Sequence, residues 1–145
     1  MCYQAACALP SLPITVSVGR RFIADRLSLW AVEVSDVAHV RIGDVLLAAS
    51  ELLSNAVRVT QEHEIGLEVL AHHNEIVVSV TDDAPSVPAR VQSPDPFAEG
   101  GRGLALVEAI SQRWGQVVHG ERKTVWFIIS VPTGSSLTRG CHGQR

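Results

Sequence analysis

The apolar pattern of this chain changes its period near residue 60, and the change separates one layer of structure from another. Upstream, Val45, Ala49, Leu52 and Ala56 step by four, three and four, so they lie on one face of a helix. Leu46 and Leu53 widen that face. Downstream, Ile65, Leu67 and Val69 alternate, as do Ile76, Val78 and Val80, with His72-His73-Asn74 between the two runs. Period two belongs to strands, and a short polar break between two such runs makes a β-hairpin. A helix with one apolar face and strands with one apolar face bury those faces against each other.

The remaining segments extend this plan. Residues 13–18 alternate weakly and predict an edge strand. Phe22, Ile23, Leu27 and Trp30 predict a helix over residues 19–31, and Ser35 or Asp36 is positioned to cap the second helix, which runs to about Val59. Residues 83–101 hold Pro85, Pro88, Pro94, Pro96 and two glycines, a composition that excludes helix and interior strand and leaves a long loop. A third helix is expected from Gly103 to about Trp114, with Leu104, Val107 and Ile110 as its apolar stripe. A second hairpin follows from Gln116–His119 and Thr124–Val131 around Gly120. The order α, α, β, β, loop, α, β, β predicts an α/β (α+β) two-layer sandwich. One domain spans residues 13–131, between an N-terminal tail at residues 1–12 and a turn-rich C-terminal tail at residues 132–145.

Composition narrows the function. Apolar residues are 46% of 145, enough for one packed core, and the net charge of −3 without a basic run argues against nucleic acid as a direct partner. No stretch approaches the ~20 apolar residues that span a bilayer, so no membrane contact is expected. The first ten residues lack a basic start and do not read as a signal peptide. Cys2, Cys7 and Cys141 are odd in number and have no CxxC spacing, which suits reduced thiols and a cytoplasmic protein. None of the six histidines pairs with cysteine or carboxylate at a metal-ligand spacing.

Beside the apolar face of the second helix runs a second stripe: Asp44, Ala48, Glu51, Asn55 and Arg58. Glu51 and Asn55 are one turn apart and point the same way. A carboxylate next to an amide suits a hydrated Mg²⁺, which prefers oxygen ligands and keeps waters and substrate phosphates, and the carboxylate can also take a proton from a nucleophile. The same stripe equally suits a solvated helix flank. Farther along, Glu99-Gly100-Gly101-Arg102-Gly103-Leu104 opens the third helix. Glycines admit a ligand close to backbone, a helix N-terminus presents N–H groups to anions, and Arg102 adds a phosphate-matching fork. A flexible loop end would read the same way.

Taken in order, these segments resemble the motifs of the GHKL (histidine-kinase-like) ATPases. Ser50-Glu51-Leu52-Leu53-Ser54-Asn55-Ala56-Val57 resembles the N box. Val80-Thr81-Asp82 resembles the strand end that carries the adenine-binding aspartate. Gly101-Arg102-Gly103-Leu104-Ala105-Leu106-Val107 resembles the second glycine box. Lys123-Thr124-Val125-Trp126 resembles the last motif, and Arg113-Trp114-Gly115 is typical of the anti-sigma regulatory factor branch. The resemblance covers about residues 16–131.

That resemblance implies a Bergerat-type ATP-binding fold, with helices on one face of a mixed sheet, and ATP with Mg²⁺ as cofactors. Asn55 would coordinate Mg²⁺, and Glu51 would be the catalytic base. Asp82 would accept a hydrogen bond from the adenine amino group with Thr124 in support. Gly101, Arg102 and Gly103 would hold the phosphates with Leu104 beside them, and the proline-rich loop would close over ATP. It further implies a serine/threonine protein kinase that phosphorylates a small antagonist (anti-anti-sigma) protein and sequesters a sigma factor. A homodimer is a state that related proteins often adopt. The chain departs from the family pattern in two places. Asp82 is followed by Asp83, Ala84, Pro85 and Ser86 where two glycines are usual, and Val59 stands where histidine is frequent. The dimerisation helices of histidine kinases, with their phosphoacceptor histidine, are missing. An autophosphorylating histidine kinase is therefore not expected, and the altered residues after Asp82 support the alternative reading, an ATP-holding interaction module without catalysis.

Overall fold

A strand comes first. Tyr3, Ala5, Cys7 and Leu9 turn inward and Gln4, Ala6 and Ala8 outward, so Cys2–Leu9 forms β1 rather than a tail. In the computed structural model the described residues are 2–33, 37–60, 63–83 and 102–131. β1 is followed by α1 (Thr15–Glu33), a 3₁₀ turn (Val37–His39), α2 (Ile42–Val59), β2 (Ile65–His72), β3 (Glu75–Asp82), α3 (Arg102–Ile110), β4 (Arg113–His119) and β5 (Arg122–Ser130). Among the described residues no helix is long and apolar enough to cross a membrane.

The five strands lie in the order β1-β2-β3-β5-β4, and every neighbouring pair is antiparallel. This corrects the expectation of a mixed sheet. β2–β3 and β4–β5 are tight hairpins, and the latter turns at Gly120, whose φ of 59° suits a residue without Cβ. One face of the sheet carries Ile65, Leu67, Val69, Ile76, Val78, Val80, Val125 and Phe127, all buried with the apolar faces of the helices in a single core. Val45, Ala49, Leu52, Leu53 and Ala56 of α2 join it as the spacing predicts, and Ala48 of the presumed polar stripe is buried there too. Truncating a residue such as Leu53 to Ala should cost about 2–5 kcal/mol, because the cavity adds to the lost transfer energy.

Three boundaries differ from the sequence reading. Residues 15–18 are the first turn of α1, not an edge strand. The alternation of Ile14, Val16 and Val18 is overridden by a helical stripe, Thr15, Gly19, Ile23, Leu27 and Trp30, which is the buried one. The Thr15 hydroxyl donates to the Pro10 carbonyl, and the Thr15 amide to Leu12 O at 2.9 Å, so the helix start is anchored in the turn after β1. α2 begins at Ile42, where Arg41 pairs with Asp44 at 2.9 Å; the proposed caps Ser35 and Asp36 lie outside the described residues. α3 ends at Ile110, and Trp114 belongs to β4.

β1 is held over α1 by Tyr3, whose ring sits 5.6 Å from that of Trp30 and whose hydroxyl donates to Glu33 at 2.7 Å. Cys7 is a free thiol that burial pushes up in pKa, and Cys2 is disulfide-bonded, which departs from the reading of all three cysteines as reduced. The proline-rich loop and residues 132–145 lie outside the described residues.

Candidate functional site

The seam between α2 and α3 brings the first group of predicted residues together. Gly103, in the first turn of α3, is buried against the polar flank of α2. A Cβ placed there would stand 2.8 Å from Glu51 Oε2 and 3.5 Å from Asn55 Nδ2. Only glycine lets the opening of α3 settle on that flank without displacing the carboxylate. Glu51 and Asn55 are half-buried, one helical turn apart, as the sequence spacing requires. The Asn55 amide oxygen accepts a hydrogen bond from Arg58 Nη2, the next member of the stripe. Arg102 opens α3, and Leu104 packs half-buried against the core. Gly101 lies outside the described residues.

The C-terminal end of β3 forms the second group. Asp82 is 3% exposed and occupies a position of the helix-facing face. A buried carboxylate needs a compensating charge or hydrogen bond. It pairs with Lys123, directly across the β3–β5 ladder, at 3.8 Å from Nζ to Oδ2. Next to it, Asp83 receives His63 Nδ1, and Arg122 Nη1 lies 3.3 Å away. The other Arg122 nitrogen donates to Glu64 O at 3.0 Å. The buried Thr60 hydroxyl accepts the Asp83 N–H at 3.3 Å, which ties the end of α2 to the end of β3. Asp83 thus acts as a clasp for the strand end.

Thr124 does not join Asp82. It pairs with Thr81 in the ladder, and the two hydroxyls hydrogen-bond at 2.8 Å on the opposite face of the sheet. With side chains alternating along a strand, a shift of one residue moves a group across the sheet. The residue beside the aspartate is therefore Lys123, which sequence reasoning passed over. Its only signal was its place immediately before Thr124, and the register of β5 against β3 is what selects it. The outer face also carries an open hollow of about 340 Å³ among Ala6, Gly66, Glu68, Ser79, Thr81 and Thr124. Small side chains create it, and none of Glu51, Asn55, Asp82 or Gly103 lines it.

Among the described residues no three His, Cys, Asp or Glu side chains gather as a metal cage. The Asn55 amide oxygen at the α2–α3 seam instead suits a Mg²⁺ that arrives on phosphates and keeps water, provided Arg58 yields it, and the Glu51 carboxylate one turn away is left to take a proton. A nucleotide between the two groups would meet oxygen donors and the α3 N-terminus at its phosphate end. At its base end it would meet a buried carboxylate beside an ammonium.

Among curated proteins none matches this chain. A family model described as the histidine kinase-like ATPase domain matches residues 9–129, from the last residue of β1 to the penultimate residue of β5, and so spans every element of the site. The chain belongs to the histidine kinase-like ATPase domain family.

Proposed function

We propose that this domain binds ATP with Mg²⁺ and transfers the γ-phosphate to a serine or threonine of a small antagonist protein, and that it sequesters a sigma factor when unopposed. The observation that carries the reading is the meeting of Glu51 and Asn55 with Gly103 at the start of α3. A carboxylate, an amide and a helix N-terminus meet there, which supports the reading because phosphoryl transfer needs chiefly positioning and charge neutralisation. Asp82 accepts the adenine amino hydrogen, and Asn55 holds Mg²⁺, which neutralises charge on the phosphates. Backbone of the 101–103 segment holds the phosphates.

In the transfer itself the substrate hydroxyl oxygen attacks the γ-phosphorus as its proton passes to the Glu51 carboxylate. The new O–P bond forms as the bond from the γ-phosphorus to the β–γ bridging oxygen breaks, and ADP leaves with that electron pair. The reading places the protein in the cytoplasm. Incubation with γ-labelled ATP and the cognate antagonist tests it: label on the antagonist is expected, and its absence with ATP bound would leave a non-catalytic module. That second reading is favoured by two contacts. Arg58 already engages Asn55, and Lys123 already pairs with Asp82, so both predicted ligand groups have cationic partners within the chain.

A further inference from the structure

Lys123 is an unusual neighbour for a carboxylate that is to recognise a base. Its side chain is 20% exposed, against 4% for Asp82, so it closes the strand end while its head still reaches water. The separation of 3.8 Å is an ion-pair distance but longer than a direct N–H···O hydrogen bond, so the ammonium keeps donors for another acceptor. The fixed β3–β5 register sets the two groups side by side on the helix-facing side of the sheet. A carboxylate alone offers only acceptors. A carboxylate and an ammonium together offer an acceptor beside a donor.

We infer that Lys123 is a specificity-determining residue of the base site, and that the Asp82–Lys123 couple admits 6-oxopurine nucleotides as well as 6-aminopurine nucleotides. This rests on the proposed nucleotide-binding reading. In a 6-aminopurine the exocyclic N–H donates to Asp82, a contact that does not use the lysine. In a 6-oxopurine the ring N–H donates to Asp82 and the exocyclic oxygen accepts from Lys123. Without the lysine, a 6-oxo group would bring one acceptor against another, and a buried polar group left unmatched is what gives a hydrogen-bonding site its power to reject.

Binding of ATP and ITP to the full 145-residue chain, each with Mg²⁺, tests the inference by titration calorimetry. The wild type is expected to hold the two within about tenfold of each other. Lys123→Met, which keeps the apolar stem and removes the donors, should weaken ITP by about tenfold more than ATP, the loss of a hydrogen bond to a charged group. Lys123→Arg should retain most ITP binding. Because Lys123→Met leaves a carboxylate buried without its ammonium, Lys123→Thr, whose short hydroxyl can donate to the carboxylate but extends no donor beyond it, serves where the Met variant fails to fold; it too should lose ITP preferentially. A wild type that binds ATP but rejects ITP by a hundredfold or more overturns the inference, as does an equal loss of both nucleotides on removing the lysine. A wild type that binds neither overturns the proposed function itself and the inference with it.

Discussion

The two ends of the site are built differently. At the α2–α3 seam, Glu51 and Asn55 are set by the helical repeat of one continuous element, and Gly103 only has to leave them room. At the strand end, Asp82 and Lys123 come from separate strands, and their meeting depends on how β5 pairs with β3. The first arrangement is local and survives small shifts between elements. The second is set by register, and one residue of slip would exchange Lys123 for Thr124. In the proposed reading the seam does the chemistry and the strand end recognises the base.

The largest expected effect lies at the seam. Glu51→Ala should lower phosphoryl transfer to the antagonist by ~10²–10⁴-fold, the usual worth of a general base, while ATP binding by calorimetry stays near wild type. A variant that transfers phosphate at the wild-type rate would leave Glu51 as a helix-flank carboxylate and remove the contrast between the ends.

A smaller effect is expected at the strand end. Asp82→Asn should weaken ATP binding by about 1.5–3 kcal/mol, the cost of losing a hydrogen bond to a charged group. Circular dichroism should show the fold retained, since asparagine preserves the shape of the side chain. Equal ATP affinity in variant and wild type would mean that the carboxylate serves the Lys123 pair alone.

The smallest effect separates the two faces of the sheet. Thr124→Val should leave ATP affinity unchanged and cost about 0.5–1.5 kcal/mol in denaturant unfolding, from loss of the Thr81 hydroxyl contact. A tenfold drop in ATP affinity would return Thr124 to the base site and contradict the register.

What could be read from the sequence follows the same division. The apolar face of α2, the β2–β3 hairpin and the Glu51–Asn55 flank were legible because each depends on spacing within one element. β1 was missed because its alternation runs through alanines and cysteines, which carry little strand signal. The start of α1 was missed because Ile14, Val16 and Val18 imitate a strand, and only burial of Thr15 and Gly19 reveals the helical stripe. Lys123 was overlooked for a third reason: the face to which a β5 residue points is fixed by pairing with a partner strand some 40 residues away, which period alone does not disclose.

The central claim is that the α2–α3 seam and the β3 end together hold Mg²⁺–ATP. Calorimetric titration of the full chain with ATP, in Mg²⁺ and in chelator, for wild type and Asn55→Ala, tests it most directly. The account predicts saturable binding to the wild type that Mg²⁺ strengthens, and a much smaller Mg²⁺ enhancement in Asn55→Ala. Equal enhancement in both proteins, or no saturable ATP binding by the wild type, would contradict it.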